Sequence, residues 1–516
     1  MRRRFRHLHH IHVLSASLTA IALGSGAALA QNGLPFRVEA PPGSVFFGGS
    51  VASGGDADGD GFDDVFIMDH EYEEGGVVLG RSFMYSGRTG REMWRVTGAQ
   101  AIRAHWYLVG AFIGDIDGDG GDDIALGQPS AGERDQGRVD VYSGRTGALL
   151  HSFIGEVDKG QAGRDVAGVG DVNRDGTPDF AFISRYDVDG RTSIRSGRDG
   201  SEILSLARQW PRCVRGAGDI NGDGRADIAV GSWNISLRGL GVGVYSGADG
   251  SIIYDLARRH LDDDFFGWTL AAGHDLTGDD IPDVIASGGA SYADRPFVYL
   301  IDGGTGVASA LRLPAELGAG GLFGYTTHLG DVNGDGTVEA VIGDLRGHFV
   351  FDAASGRVLS TSPPSRLGRG GVFGIELVLG DVNGDGFADV ITQHGTDAVV
   401  ARAGAPILVS PEIPNFRRRG IIELVAHHGT PDRRLYFLGS RKNAACTFIP
   451  RLDLCLNLAR PFALAGFADT DTSGVARLRV DLFSAPLGNL WFQVVDPNDP
   501  QRGAIVSNLL EIEAVE

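Results

Sequence analysis

The chain has almost no lysine: Lys159 and Lys442 are the only two among 516 residues, while arginine is common, a pattern read as coding bias. Basic residues number 46 against 66 acidic ones. That balance argues against nucleic acid and against an anionic membrane surface as partners, and suits a protein that holds cations. Cysteine is limited to three residues. Cys446 and Cys455 lie close enough for an exported chain to bridge them, and Cys213 stands where neighbouring segments place apolar residues, which makes it a buried thiol rather than a nucleophile. Long apolar runs are missing too. After Val13 to Leu23, itself too short to span a bilayer as a helix, no segment is long enough, so no transmembrane segment is expected. There is no GxSxG elbow, no HExxH, no glycine-rich nucleotide loop and no phosphate-binding loop.

What remains is apolar material for a core, 42% of the chain, and 79 glycines, which favour tight turns over long helices. The N-terminus carries Arg2, Arg3, Arg4 and Arg6, then the apolar stretch, then Ala28-Leu29-Ala30, the pattern of a secretory signal cleaved near Ala30. The mature chain is therefore expected to be secreted or at the cell surface.

The stretch GDADGDGFDD from Gly55 crowds five carboxylates into nine residues, Asp56 to Asp64, and like charges so close repel unless something neutralises them. The pattern recurs from Asp115, Asp171, Asp219, Asp275, Asp331 and Asp381, seven copies spaced 48 to 59 residues apart. A second motif keeps step with it: YSGRTG from Tyr85 and Tyr142, RSGRDG from Arg195, YSGADG from Tyr245, IDGGTG from Ile301 and FDAASG from Phe351, decaying to ARAG at Ala401. Each unit reads as strand, acidic loop, strand, connection, strand, glycine turn and strand. Four short strands in about fifty residues are the signature of a propeller blade, and seven units should close into a ring. The seventh unit has no clear fourth strand, while Phe36–Ala40 precedes the first unit and has no blade of its own. The N-terminal segment is therefore predicted to pair with residues 398–402 and close the ring.

In D-x-[DN]-x-D-G-x-x-D, oxygen-bearing side chains fall at positions one, three, five and nine, and a tight loop gathers them around one point. The candidate metal ligands are Asp56, Asp58, Asp60 and Asp64; Asp115, Asp117, Asp119 and Asp123; Asp171, Asn173, Asp175 and Asp179; Asp219, Asn221, Asp223 and Asp227; Asp275, Thr277, Asp279 and Asp283; Asp331, Asn333, Asp335 and Glu339; Asp381, Asn383, Asp385 and Asp389. All are hard oxygens, which favours calcium, up to seven ions, over zinc, copper or iron. Position twelve is never acidic and lies in β-like runs, so these loops are not EF-hands. The fifth copy, with Thr277 at position three and Asp280 in place of glycine, is expected to be weak or empty. The competing explanation for any single copy is a solvated Asp/Asn/Gly turn.

Residues 45 to 404 resemble the FG-GAP repeat proteins, among them the integrin α-subunit propeller. The resemblance rests on the acidic loops, on Phe47-Gly48, Phe266-Gly267, Phe323-Gly324 and Phe373-Gly374, and on Gly127-Gln128-Pro129. It implies an all-β chain with a seven-bladed β-propeller over residues 31–404, after a signal peptide at 1–30. The segment 405–516 loses both repeats and reads as a small β-sandwich of short alternating strands. The resemblance also implies that ligands dock on the face opposite the acidic loops. Aromatics expected there are Tyr72, Trp106, Tyr107, Tyr186, Trp210, Trp233, Trp268 and Tyr292, each able to stack on sugars or to fill gaps between blades. The expected function is extracellular ligand binding or adhesion, with a protein or glycan ligand and no catalysis. The alternatives are a polysaccharide lyase or phospholipase-like hydrolase on the same scaffold, and a purely structural envelope protein.

Overall fold

The computed structural model describes residues 37–75, 77–98, 108–184, 190–232, 241–256, 266–288, 297–311, 326–333, 336–344, 347–362, 377–394 and 398–402. Beyond these it describes the strands and short flanks at 408–411, 421–427, 434–440, 443–449, 454–458, 463–470, 476–481, 488–499, 503–506 and 510–514. Every regular element among the described residues is a strand. The predicted signal segment, Asp335, Trp106, Tyr107, Tyr186, Trp233, Tyr292, Phe323 and Phe373 lie outside the described residues, as do the side chains of Cys446 and Cys455.

Seven four-stranded antiparallel sheets follow one another along the chain, and the protein is a seven-bladed β-propeller. Blade three shows the plan: Val166–Gly170 innermost, then Asp179–Ser184, Arg191–Arg195 and Glu202–Ala207. The acidic loop joins the first two strands, and the glycine turn joins the last two. The first strands of the other blades are Phe47–Ala52, Val109–Gly114, Pro211–Gly218, Thr269–His274, Thr326–Gly330 and Leu377–Gly380. These seven strands surround the axis and line one common cavity.

The core is a ring of seven apolar wedges, one per blade interface. Between blades three and four, for example, Val169, Ile183 and Ile194 meet Val214, Ile228 and Val230, all 2% exposed or less. Second strands such as Asp227–Ser232 are buried along their whole length, whereas outer strands such as Leu149–Ile154 alternate toward solvent. This is the pattern expected where a sheet is covered on both faces near the axis and only partly so at its rim. Phe47 and Phe266, the described members of the Phe-Gly pairs, belong to two of these wedges. Cys213 is likewise a buried free thiol, 5% exposed, and its burial pushes its pKa up to about 11.

Ring closure occurs where the sequence predicts it. Arg37–Glu39 pairs antiparallel with Ala398–Arg402, placing Arg37 opposite Val400 and Glu39 opposite Ala398. The seventh blade thus takes three strands from the end of the repeats and one from their start. Past residue 405 the described strands form a three-stranded, a five-stranded and a two-stranded antiparallel sheet.

The clasp carries a measurable share of the ring's stability. Val38 is 5% exposed and sits in the wedge with Phe47, Val51 and Val399. Replacing it with aspartate, V38D, is expected to cost at least about 2 kcal/mol. Urea denaturation followed by circular dichroism checks this, and an unchanged midpoint would count against the clasp.

Candidate metal centre

Each position of the acidic loop has its own physical task. Position one caps the loop: Asp56 Oδ1 accepts the N–H groups of Gly59 (2.7 Å) and Asp60 (3.0 Å), and its Oδ2 accepts that of Gly61 (2.7 Å). Asp115 and Asp275 repeat the arrangement in full, and Asp171, Asp219 and Asp381 in part. The turn needs left-handed backbone at positions four and six, as at Gly59 (φ 73°) and Gly61 (φ 88°), which glycine supplies at least steric cost. Two departures, Arg174 (φ 61°) and Asp280 (φ 68°), keep the same conformation without glycine. The fifth loop therefore retains the backbone shape despite its altered sequence, with Thr277 offering a hydroxyl at position three.

Position two is apolar for a packing reason. Ala57, Ile116, Val172, Ile220, Leu276, Val332 and Val382 are all buried, 8% exposed at most, within the wedges between blades. Position eight ties one blade to the preceding one through the backbone. The Asp122 N–H donates to the Asp56 carbonyl (2.8 Å), and that of Asp63 donates to the Asp381 carbonyl (3.0 Å) across the ring seam.

Position nine is the centre of the unit. Asp64, Asp123, Asp179, Asp227 and Asp283 are each 0% exposed. One oxygen accepts N–H groups from positions two and three, for Asp64 at 2.8 Å from Ala57 and 3.2 Å from Asp58. The other oxygen accepts the N–H of the glycine in the second repeated motif: Gly87 at 2.9 Å, Gly144 at 3.0 Å, Gly197 at 3.1 Å, Gly247 at 3.0 Å and Gly303 at 2.7 Å. The two motifs that run in step along the sequence are thus joined by one carboxylate in each of the first five blades. A side chain at any of these five glycines would place its Cβ inside 3.0 Å of the position-eight carbonyl oxygen, which explains why the motif demands glycine. The sixth blade changes both partners at once, with Glu339 at position nine and Ala353 where the others have glycine.

In blades one and two the carboxylate oxygens of positions one, three and nine, Asp56/Asp58/Asp64 and Asp115/Asp117/Asp123, all lie within 4.8 Å of one another. Blades three, four, six and seven have asparagine at position three, so fewer charges gather there: Asn173, Asn221, Asn333 and Asn383. Position five faces the second motif. Ser143, Ser196 and Ser246 donate their hydroxyls to Asp119 (3.2 Å), Asp175 (3.5 Å) and Asp223 (3.3 Å). Arg88, Arg145 and Arg198 bring guanidinium groups to 3.7 Å from Asp60, 3.8 Å from Asp119 and 3.5 Å from Asp175. These arginines, one residue after the motif glycine, escape a reading that treats the two repeats as separate; their recurrence in SGR was the available signal.

The electrostatics are those of negative charge drawn out of water. Burial pushes the pKa of Asp64 up to about 7 and that of Asp123 up to about 6, and also raises Asp179, Asp227 and Asp283. Asp58 rises through burial and then through the charges of Asp60 and Asp56. Asp385 is pushed up to about 6 by burial, opposed by the N–H of Phe387. Among the described residues, none of the five buried position-nine aspartates forms an ion pair with a basic side chain. Such a group carries a proton or needs a cation supplied from outside. A solvated turn would leave it in water, and it is not there.

Of the aromatics expected on the opposite face, Tyr72 takes the Arg81 guanidinium at 3.9 Å and Trp268 takes that of Arg212 at 4.3 Å, the latter in the lining of the central cavity.

No family model matches the chain. Stretches of it are similar to integrin α-subunits. Integrin alpha-PS2 of Drosophila melanogaster is 33% identical over 148 residues, covering 26% of this chain and 10% of that protein. Integrin alpha-5 of Xenopus laevis is 30% identical over 170 residues, covering 30% of this chain and 16% of that protein. The chain therefore spans no more than 16% of the length of these curated relatives. Among solved structures, the crystal structure of BBS1N in complex with ARL6DN aligns with 72% of this chain and 97% of its own, at 11% identity and a TM-score of 0.46.

The glycine–carboxylate link is open to direct test. G144A is expected to destabilise the protein by about 2 kcal/mol or more, with or without divalent cations, because its Cβ has no room beside the Asp122 carbonyl. Chemical denaturation in chelator reads this, and a loss below about 0.5 kcal/mol would contradict it.

Proposed function

We propose that this chain is a calcium-stabilised propeller that works outside the cell by holding a ligand, in adhesion or capture. The observation that carries the calcium reading is the set of five fully buried position-nine carboxylates without basic side-chain partners among the described residues, joined in blades one and two by further carboxylate oxygens at positions one and three. Hard oxygens at the spacing of a tight loop suit calcium best, and magnesium would be expected to keep more of its own water. In this reading Asp56, Asp58 and Asp64 hold the ion in blade one, with the equivalent residues in the other blades. Asp60 and its counterparts are oriented toward it by the serine and arginine of the glycine turn. Bound calcium would supply positive charge to the loop and lock two strands of the same blade at one end.

Residence outside the cell is supported by the N-terminal sequence and by the partial likeness to integrin α-subunits. No helix among the described residues is long and apolar enough to cross a membrane. A binding role is favoured over a hydrolytic one by the central cavity. Its one described carboxylate, Asp165, is engaged by the Arg215 guanidinium at 2.9 Å and the Val214 N–H at 2.8 Å, so it offers no acid/base pair.

If calcium is structural, 1 mM calcium should raise the midpoint of thermal unfolding by more than about 5 °C relative to excess chelator, and magnesium should do less. Coincident melting curves would remove calcium from the account. Screening the calcium-loaded protein against arrays of glycans and extracellular proteins should give hits that chelator abolishes. A blank array with intact protein would leave the structural envelope role in its place.

A further inference from the structure

The central cavity has a charge unlike the rest of the molecule. The chain carries a formal charge of −20, yet three arginines, Arg164, Arg212 and Arg215, line this cavity of about 510 Å³ against a single carboxylate, Asp165. All three come from blades three and four. Arg164 and Asp165 lie just before the inner strand that starts at Val166, Arg212 is the second residue of the inner strand Pro211–Gly218, and Trp268 immediately precedes the inner strand Thr269–His274. The acidic loops follow these strands. Arg164 and Arg212 therefore lie toward the mouth opposite the acidic loops, with Arg215 midway along its strand.

Positive charge predominates among the described groups that line the cavity. Asp165 accepts from Arg215 and from the Val214 N–H, so it compensates one guanidinium. Arg164 donates to Gln161 Oε1 at 3.3 Å. Arg212 stacks on the Trp268 ring at 4.3 Å, and its buried Nε has no hydrogen-bond partner among the described residues. His328, half-buried and with its pKa lowered by burial and by the Arg215 charge, adds a polar ring to the same lining. Elsewhere the wall is made of small residues such as Gly110, Ala111 and Ala167, which leave room for a molecular body larger than a bare ion. The volume falls in the range of sites for small organic ligands.

We propose that the central cavity binds a small organic anion, a carboxylate, sulfate or phosphate group on a body the size of one sugar ring. The acidic group meets Arg212 and Arg164, and the body lies along the small-residue wall beside Trp268. Planar guanidinium groups suit such oxyanions because two parallel N–H donors match two oxygens. The site is separate from the acidic loops and stands whether or not those loops hold calcium.

Isothermal titration of the full chain tests it, in calcium throughout so that the two sites are not confused. The probes are D-glucuronate and glucose 6-phosphate, with glucose and sodium sulfate as controls. Both acidic sugars are expected to bind, severalfold more weakly in 500 mM than in 20 mM sodium chloride, glucose not to bind, and sulfate to bind at least tenfold more weakly than they do. R212Q is expected to lose at least tenfold in affinity while keeping the wild-type circular dichroism and calcium response, and R212K to retain part of it. The wild-type salt dependence and the glucose control decide the matter even if R212Q does not fold. No binding of either acidic sugar at 10 mM, equal binding of glucose, sulfate binding as tight as the sugars, or full affinity in a folded R212Q would each overturn the proposal.

Discussion

One carboxylate in each of the first five blades ties together the two turns at one end of its own sheet. The position-nine aspartate is held by N–H groups of the acidic loop on one oxygen and by the glycine turn on the other, so the loop after the first strand and the turn after the third are fixed relative to one another. The group sits fully out of water with backbone dipoles around it. Backbone N–H groups offset part of the desolvation penalty but supply no full positive charge, and burial still drives the pKa of Asp64 to about 7. Everything else in the loop makes sense around that constraint: the left-handed turn that aims the other oxygens, the apolar position two, and the glycine whose lack of a side chain lets the two segments touch.

The loops also act between blades. Position two fills the wedge shared with the next blade, position eight pairs with the preceding loop, and arginines bridge neighbours: Arg145 donates to the carbonyls of Asp58 (2.9 Å) and Gly120 (3.2 Å), and Arg225 to that of Val172 (2.6 Å). A chain of small couplings therefore runs around the acidic face. Mechanical stiffness on that side leaves the connections on the other side freer to vary, which is how a repeated scaffold carries a distinct binding surface.

Much of this was legible in the sequence because it repeats. The period of the Asp motif announced seven blades, and the missing fourth strand of the last unit pointed to Arg37–Glu39. What stayed hidden was of two kinds. The bond between Asp64 and Gly87 spans 23 residues, and nothing in either motif taken alone shows that they meet. The cavity arginines were invisible for the opposite reason. Arg164 belongs to the third unit and Arg212 and Arg215 to the fourth, and only the ring's curvature brings them to one cavity. Periodicity reveals what every blade shares and is silent about what only one or two blades possess. The aromatics illustrate the same division, since Tyr72 and Trp268 are both occupied by arginines that no spacing rule would have paired with them.

The joining of Arg37–Glu39 to Ala398–Arg402 has a bearing on how the molecule is made. A strand translated near the beginning must wait, unpaired, until more than three hundred later residues have emerged before its hydrogen-bonding partner exists. Until then the nascent polypeptide is an open fan with a sticky border at each side, and contacts of such extreme sequence separation form slowly. Assembly of the circle is thus a terminal event in biogenesis, governed by the arrival of the last repeat and not by the stability of the early ones.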